Sequence, residues 1–162
     1  MYLLDANVFI EAKNRYYGFD IVPAFWDWMD LVTAVNAVTI TPVRDELLNG
    51  ADELSDWMKA RKNDVWILDV TDKSTQENFA DIANELNGSP YKSAAVADFL
   101  SGADPWLVAK AVTTGATIVT HETFDMNCKR RVPLPNICPS RGIKFINTFE
   151  FMRILKAKFT LA

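Results

Sequence analysis

Only one histidine and two cysteines occur among the 162 residues, and that scarcity removes several kinds of chemistry at once. Cys128 and Cys138 cannot build a disulfide framework, and with His121 they fall short of the four ligands that a structural zinc takes. Reduced, partly buried thiols are expected instead. No stretch approaches the ~20 consecutive apolar residues of a bilayer span. Asp5 interrupts the amino-terminal apolar run, so no secretory signal is expected and the chain reads as cytoplasmic, without membrane association. A basic excess is missing too: 17 Lys and Arg face 21 Asp and Glu, a net charge of −4. Broad electrostatic attraction to nucleic acid is thereby excluded, although a local basic strip is not.

What remains is an ordinary globular composition, 49% hydrophobic and 23% charged, with no repeat or low-complexity tract. Its length suits one domain over residues 1–162. Short apolar runs at 2–4, 38–40, 66–70, 117–120 and 144–146 read as strands. After Asp5 the run Val8-Phe9-Ile10 continues the apolar character, and 14–18 is a polar and aromatic break. Helical periodicity places helices at 24–35, from Thr41 as cap with Pro42 in the first position, and at 52–61, 75–86, 94–100, 104–114 and 149–156. Gly50 and Gly115 end two of them, Asn87-Gly88-Ser89-Pro90 is a turn, and 125–140, with three prolines, reads as an ordered loop. Alternating strands and helices predict a three-layer α/β sandwich with a mainly parallel sheet.

On such a sheet, strand carboxyl ends and helix amino ends share one edge, where ligands bind. Asp5 follows the first strand, Glu46 lies one turn into the helix after the second, Asp104 stands at the start of 105–114, and Glu122 follows 117–120. Each has an unremarkable reading. Asp5 could be a turn residue, though no helix to cap follows it directly; Asp104 before Pro105 looks like an N-cap; Glu46 could be a surface glutamate. Glu46 is preferred to Asp45 because it shares a face with Val43 and Leu47, from which Asp45 points away by roughly 100°. Asp125 rivals Glu122. Acids gathered on one edge repel one another unless a divalent cation neutralises them, so the set points to Mg²⁺ or Mn²⁺ and to chemistry on phosphates.

The segment Leu3-Leu4-Asp5-Ala6-Asn7-Val8-Phe9-Ile10 resembles the opening strand of PIN-domain nucleases. The likeness continues through Val43-Arg44-Asp45-Glu46-Leu47, Ala103-Asp104-Pro105-Trp106-Leu107-Val108-Ala109 and Ile118-Val119-Thr120-His121-Glu122. Phe9 to Tyr17 with Phe25-Trp26-Asp27-Trp28 resembles a bacterial, toxin-like PIN subfamily. The resemblance implies a metal-dependent endoribonuclease, commonly the toxin half of a toxin–antitoxin pair. Asp5, Glu46 and Asp104 match its three principal acids, and Glu122 matches a fourth position that is usually aspartate. Asn7 matches the polar residue supporting the first aspartate or the phosphate, and Thr120 the small hydroxyl residue before the fourth acid. One or two Mg²⁺ or Mn²⁺ ions would sit between Asp5, Asp104 and Glu122, with Glu46 binding metal or holding water.

RNA must then be drawn to a net-negative protein. Lys13 and Arg15 after the first strand, and Lys129, Arg130 and Arg131 after Glu122, could flank the site, and Tyr16 and Tyr17 could stack on unpaired bases. His121 is a tempting acid–base group, but metal chemistry does not require it. Three rival readings stand beside the nuclease. A haloacid-dehalogenase-type phosphatase wants a second aspartate at the place of Asn7. A non-catalytic PIN-like scaffold would bind RNA or protein without cutting. A partner-binding protein would use the tryptophans, since Trp26 and Trp28 cannot both face the core of one helix and one could serve a homodimer or antitoxin interface.

Overall fold

A computed structural model describes residues 1–160. Five short strands, β1 (Tyr2–Leu4), β2 (Ala37–Ile40), β3 (Ile67–Leu68), β4 (Thr117–Val119) and β5 (Phe145–Ile146), form one parallel sheet in the order β3-β2-β1-β4-β5. The central strand reads as unbroken apolar sequence because a parallel strand is covered on both faces; Leu3 and Leu4 are fully buried. From β1 the chain steps outward twice to one side, through β2 to β3, then returns to lay β4 and β5 on the other side. The carboxyl ends of β1 and β4 therefore flank the point where strand order reverses, and a crevice opens there.

The helices between strands are α1 (Ala6–Glu11), α2 (Pro23–Thr33), α3 (Thr41–Leu48), α4 (Glu53–Lys59), α5 (Lys73–Asn87), α6 (Ser93–Ser101), α7 (Asp104–Thr114), α8 (Leu134–Ile137) and α9 (Thr148–Ile154). The chief helix–helix contacts fall into two groups, α1 with α3 and α3 with α4, then α5, α6, α7 and α8 among themselves. Right-handed crossovers running in opposite directions from β1 put those groups on opposite faces of the sheet.

Several sequence expectations are corrected. Ala6 to Ile10 is helical rather than extended, and Asp5 is the N-cap residue of α1 after all, with extended φ/ψ of −77° and 155° but no side-chain cap bond. The segment 12–16 is no break: it continues α1 as a π-helix closed by the Tyr17 N–H donating to the Ala12 carbonyl at 2.6 Å. Thr41 is the first residue of α3, not its cap. Asp104 is the first residue of α7, with Ala103 in the cap position and no side-chain cap bond, so capping does not account for it. The 125–140 loop contains α8 and a single 3-10 turn at Pro139–Arg141, because Pro135 lies within the first turn of α8, where a proline costs no hydrogen bond. Gly115 does end α7, in the left-handed region at φ 69° that a side chain would strain.

Candidate active site

Asp5, Asp104 and Glu122 lie near one another at the strand-order reversal, close enough for their charges to act on each other, and Glu46 stands at its mouth. Asp5 is 4% exposed, carried there by β1 and pinned by the first turn of α1, where the Val8 N–H donates to its carbonyl. Beside it lies a cleft of about 340 Å³ walled by Glu46, Asp98, Asp104, Glu122 and Arg131. Asp5 is behind that wall rather than part of it. Asp98, on α6, joins the other acids in the wall and is not among those that sequence spacing singles out. A larger cavity of about 630 Å³ lies by the α2 carboxyl end, where Arg61 donates two 2.6 Å hydrogen bonds to Asp30. It holds no cluster of unpaired acids, and the smaller cleft is the one with chemistry in it.

One hydroxyl organises the centre. Thr120 Oγ1 donates to Asp5 Oδ2 at 2.7 Å and accepts from Asn7 Nδ2 at 3.0 Å and from the Glu122 N–H at 3.1 Å. That is its full capacity, one donor and two lone pairs. Asn7 Oδ1 in turn accepts from the His121 N–H at 2.9 Å, so the segment after β4 is clamped onto α1. Asn7 supports Asp5 through Thr120 rather than by touching it.

The electrostatics are those of acids held together against repulsion. Burial first, then the charges of Asp104 and Glu122, push Asp5 up to about 8, against the lowering effect of the Thr120 and Ala6 bonds. Burial pushes Asp104 up to about 7, helped by Glu122, Glu46 and Asp98 and opposed by Arg131. Glu46 is raised by burial alone, although it is a solvent-exposed residue at the rim. Asp45 is turned away and paired with Arg44 at 2.6 Å. Glu122 accepts from the Leu134 N–H at 3.0 Å and pairs with Arg131 at 3.3 Å. Asp125 is exposed, its carboxylate accepting from the Asn127 N–H, so Glu122 is the acid that the structure brings to the cleft.

Among the described residues, no three His, Cys, Asp or Glu side chains stand close enough to form a ready metal cage. The four acids share a neighbourhood, while Glu122 is drawn aside by Arg131 and Leu134. Their chemistry still fits one class of ion. The donors are all carboxylate oxygens, two of them carrying pKa values that a nearby cation would restore to the usual range, and that suits a hard divalent cation such as Mg²⁺ or Mn²⁺.

The other candidates divide. Arg131 is at the cleft. Lys13 is spent on Asp52, the cap of α4, at 3.0 Å, and Arg15 pairs with Glu11 at 3.0 Å while staying exposed. Lys129 lies over the Tyr91 ring at 5.6 Å, and Arg130 is exposed without an ion pair among the described residues. Tyr17 stacks on Phe25 at 4.4 Å in the core, but Tyr16 is half-exposed. Trp26 is buried, and Trp28 packs against Phe25 and Phe151, so neither tryptophan is a free docking surface. The pKa of His121 is lowered by burial, and its Nε2 lies 2.8 Å from Thr148 Oγ1. Cys138 is buried, with its thiol pushed up to about 12, and is inert.

No helix among the described residues is long and apolar enough to cross a membrane. No curated protein matches the sequence. Among solved structures, a chain of VapBC2 from Rickettsia felis, bound to a DNA fragment from their promoter, aligns with TM-score 0.54 and 15% identity over 90% of this chain and 97% of that one. FitAcB from Neisseria gonorrhoeae aligns with TM-score 0.54 and 18% identity over 92% and 99%. DNA-bound VapBC from Salmonella typhimurium aligns with TM-score 0.54 and 18% identity over 90% and 96%. A family model described as a domain of unknown function, DUF4411, matches residues 2–159. The chain belongs to the DUF4411 family, and its parallel sheet with acids at the strand-order reversal is the fold of PIN domains.

Proposed function

We propose that this protein is a metal-dependent endoribonuclease and the toxin half of a two-protein pair whose other member is an antitoxin. One observation carries the nuclease reading: buried Asp5 and half-buried Asp104 are held at the strand-order reversal with their pKa values raised, and neither carboxylate caps a helix. The likeness to chains of VapBC and FitAcB assemblies supports the paired-toxin reading. Asp5, Asp104 and Glu122 would hold Mg²⁺ or Mn²⁺, with Glu46 as a fourth ligand or the residue that orients a water. When bound, the cation stabilises charge on the phosphate and makes water a stronger nucleophile at neutral pH.

The protein's own part is positional. Asp5 is fixed by Thr120, and Asn7 holds the segment that carries Glu122. Arg131 faces the cleft with 58% of its side chain exposed, and its bond to Glu122 is of the solvent-exposed kind worth under about 1 kcal/mol. It can therefore leave Glu122 for a phosphate oxygen at little cost. Arg131→Gln is expected to raise the KM for RNA about tenfold, with kcat and thermal stability nearly unchanged. A lower kcat at constant KM would place Arg131 in the chemical step instead.

The test of the reading itself is cleavage of end-labelled single-stranded RNA by wild type and Asp104→Asn, each with Mg²⁺, Mn²⁺ or EDTA. Metal-dependent cutting lost in the variant supports a nuclease. A folded wild type that binds no divalent cation by calorimetry and cuts nothing would favour the non-catalytic scaffold.

A further inference from the structure

Glu122 has two sides. One faces the acid cleft, and the other forms part of a second cleft of about 460 Å³, a volume in the range of small-ligand sites. Its wall carries four aromatic rings: His121 beside Glu122, Phe124 on the following loop, Phe145 at the end of the sheet and Phe149 in α9. Phe124 is 51% exposed and offers a free ring face at the edge of this wall. His121 and Phe149 meet edge to face at 5.9 Å and are backed by Tyr16, which stacks on His121 at 6.1 Å and meets Phe149 at 5.1 Å. The π-helical turn of residues 12–16 is what separates Tyr16, turned toward this wall, from Tyr17, turned into the core.

The polar groups of the cleft define its occupant. Glu122 and Glu150 line it, and no Lys or Arg is among the lining residues. A phosphate or other anion is repelled. Asn147 uses its side-chain oxygen to cap α9, accepting from the Glu150 N–H at 2.9 Å, and its amide NH₂ has no partner among the described residues. A flat, uncharged ring with acceptors at its rim matches these features. Glu122 is common to both clefts, so the two adjoin at that residue.

We infer that this second cleft is a nucleobase subsite, taking one unpaired base of a single-stranded RNA by stacking against Phe124 and the His121–Phe149 wall. The inference rests on the nucleic-acid reading of the neighbouring acids. It assigns specificity to strand state: a base paired in a duplex cannot enter.

Binding separates the two ideas. Fluorescence anisotropy with a labelled ten-nucleotide RNA is measured in EDTA and in Ca²⁺, using wild type, Phe124→Ala, Phe124→Leu and Phe124→Trp. The expected result is about tenfold weaker binding for the Ala and Leu variants, retention by Trp, and no binding of the same sequence as a duplex. An RNA series with a single abasic site moved along the strand should show one position at which wild type loses that tenfold and Phe124→Ala loses nothing further. Phe124 is exposed, so these variants fold, and a thermal melt checks it. Full-strength binding by Phe124→Leu, or an unchanged Kd and KM in Phe124→Ala while cleavage persists, overturns the subsite and leaves the nuclease standing. Phe124-dependent binding without cleavage in any metal leaves the subsite standing and removes the nuclease. Absence of any RNA binding removes both.

Discussion

Asp5→Asn should melt at a higher temperature than wild type in EDTA at pH 8, although it should cut no RNA. In the metal-free protein the Asp5 carboxyl, pushed up to about 8, is charged at a cost that the unfolded chain does not bear. The sign follows from linkage. A folded pKa above the unfolded value means that the native state holds a proton the unfolded state has released, so stability is full below about pH 4 and falls as pH rises toward 8. Asparagine is uncharged throughout, has nearly the same shape and keeps an oxygen to accept from Thr120 Oγ1. The gain at pH 8 is on the order of 2–4 kcal/mol, or roughly 5–10 °C for a chain of this size. The variant should also show a shallower loss of stability between pH 4 and 8, with the residual slope set by Asp104, pushed up to about 7.

Adding Mn²⁺ reverses the ranking. A ligand that binds only the folded state stabilises it by about 2.7 kcal/mol at a hundred times its Kd, so wild type climbs while Asp5→Asn scarcely moves. Cleavage should drop on the order of 1000-fold or more, since the substitution removes a carboxylate that would hold the cation stabilising charge on the phosphate. Scanning fluorimetry in EDTA and in Mn²⁺, across pH, checks both halves. A variant that melts lower in EDTA would mean that Asp5 is a structural residue stabilised by Thr120, and the argument from its raised pKa would collapse. This trade of stability for site chemistry is what distinguishes a functional buried acid from a satisfied one.

Much of this site was legible from local sequence because the topology does the gathering. Once Tyr2-Leu3-Leu4 and Ala37 to Ile40 are strands of one parallel sheet, residues following them share an edge, so Asp5 and Glu46 fall on the same side of the sheet without any contact having been foreseen. What local sequence hid was context. Val8-Phe9-Ile10 has the β-branched and aromatic character of a strand, yet Val8 and Phe9 are fully buried on a helix, where packing outweighs propensity. Asp104-Pro105 reads as a cap followed by a first turn, but Ala103 holds the cap position and the Asp104 carboxylate lines the cleft instead. The bonds that hold Glu122, from Leu134 and Arg131, cross a loop whose fold depends on α8, and no periodicity announces them. Trp28 shows the opposite error: helical geometry excluded it from the face of Trp26, but α9 supplies Phe151 to cover it.

The bond least visible in sequence has the second largest expected consequence. Thr120 and Asp5 are 115 residues apart, and Asn7 joins Thr120 from 113 residues away. Thr120→Val keeps the volume of the side chain and deletes its hydroxyl, leaving Asp5 with its Ala6 backbone bond but no side-chain donor, and both Asn7 Nδ2 and the Glu122 N–H without an acceptor. Thr120 is almost wholly buried, so water does not readily replace the hydroxyl. Unsatisfied groups of this kind cost about 1–3 kcal/mol each. Asp5 escapes part of that by protonating, because the Thr120 bond is one of the interactions lowering its pKa. A net loss of about 2–4 kcal/mol is expected, read as a fall of roughly 5–10 °C in EDTA, opposite in sign to Asp5→Asn. Thr120 touches neither substrate nor cation, so its effect on function should appear in the metal requirement: half-maximal cleavage should need 10–100 times more Mn²⁺, with activity partly recovered at saturation. Thr120→Ser, which retains the hydroxyl and loses only a buried methyl, should restore the metal requirement while remaining about 1 kcal/mol less stable than wild type. If Val matches wild type in both assays, the hydroxyl matters to neither the fold nor the site. If Val loses stability without changing the metal dependence, Thr120 holds the fold together but does not position Asp5. Only the combination of Val failing in both assays and Ser rescuing the metal requirement places this hydroxyl between the fold and the chemistry of the site.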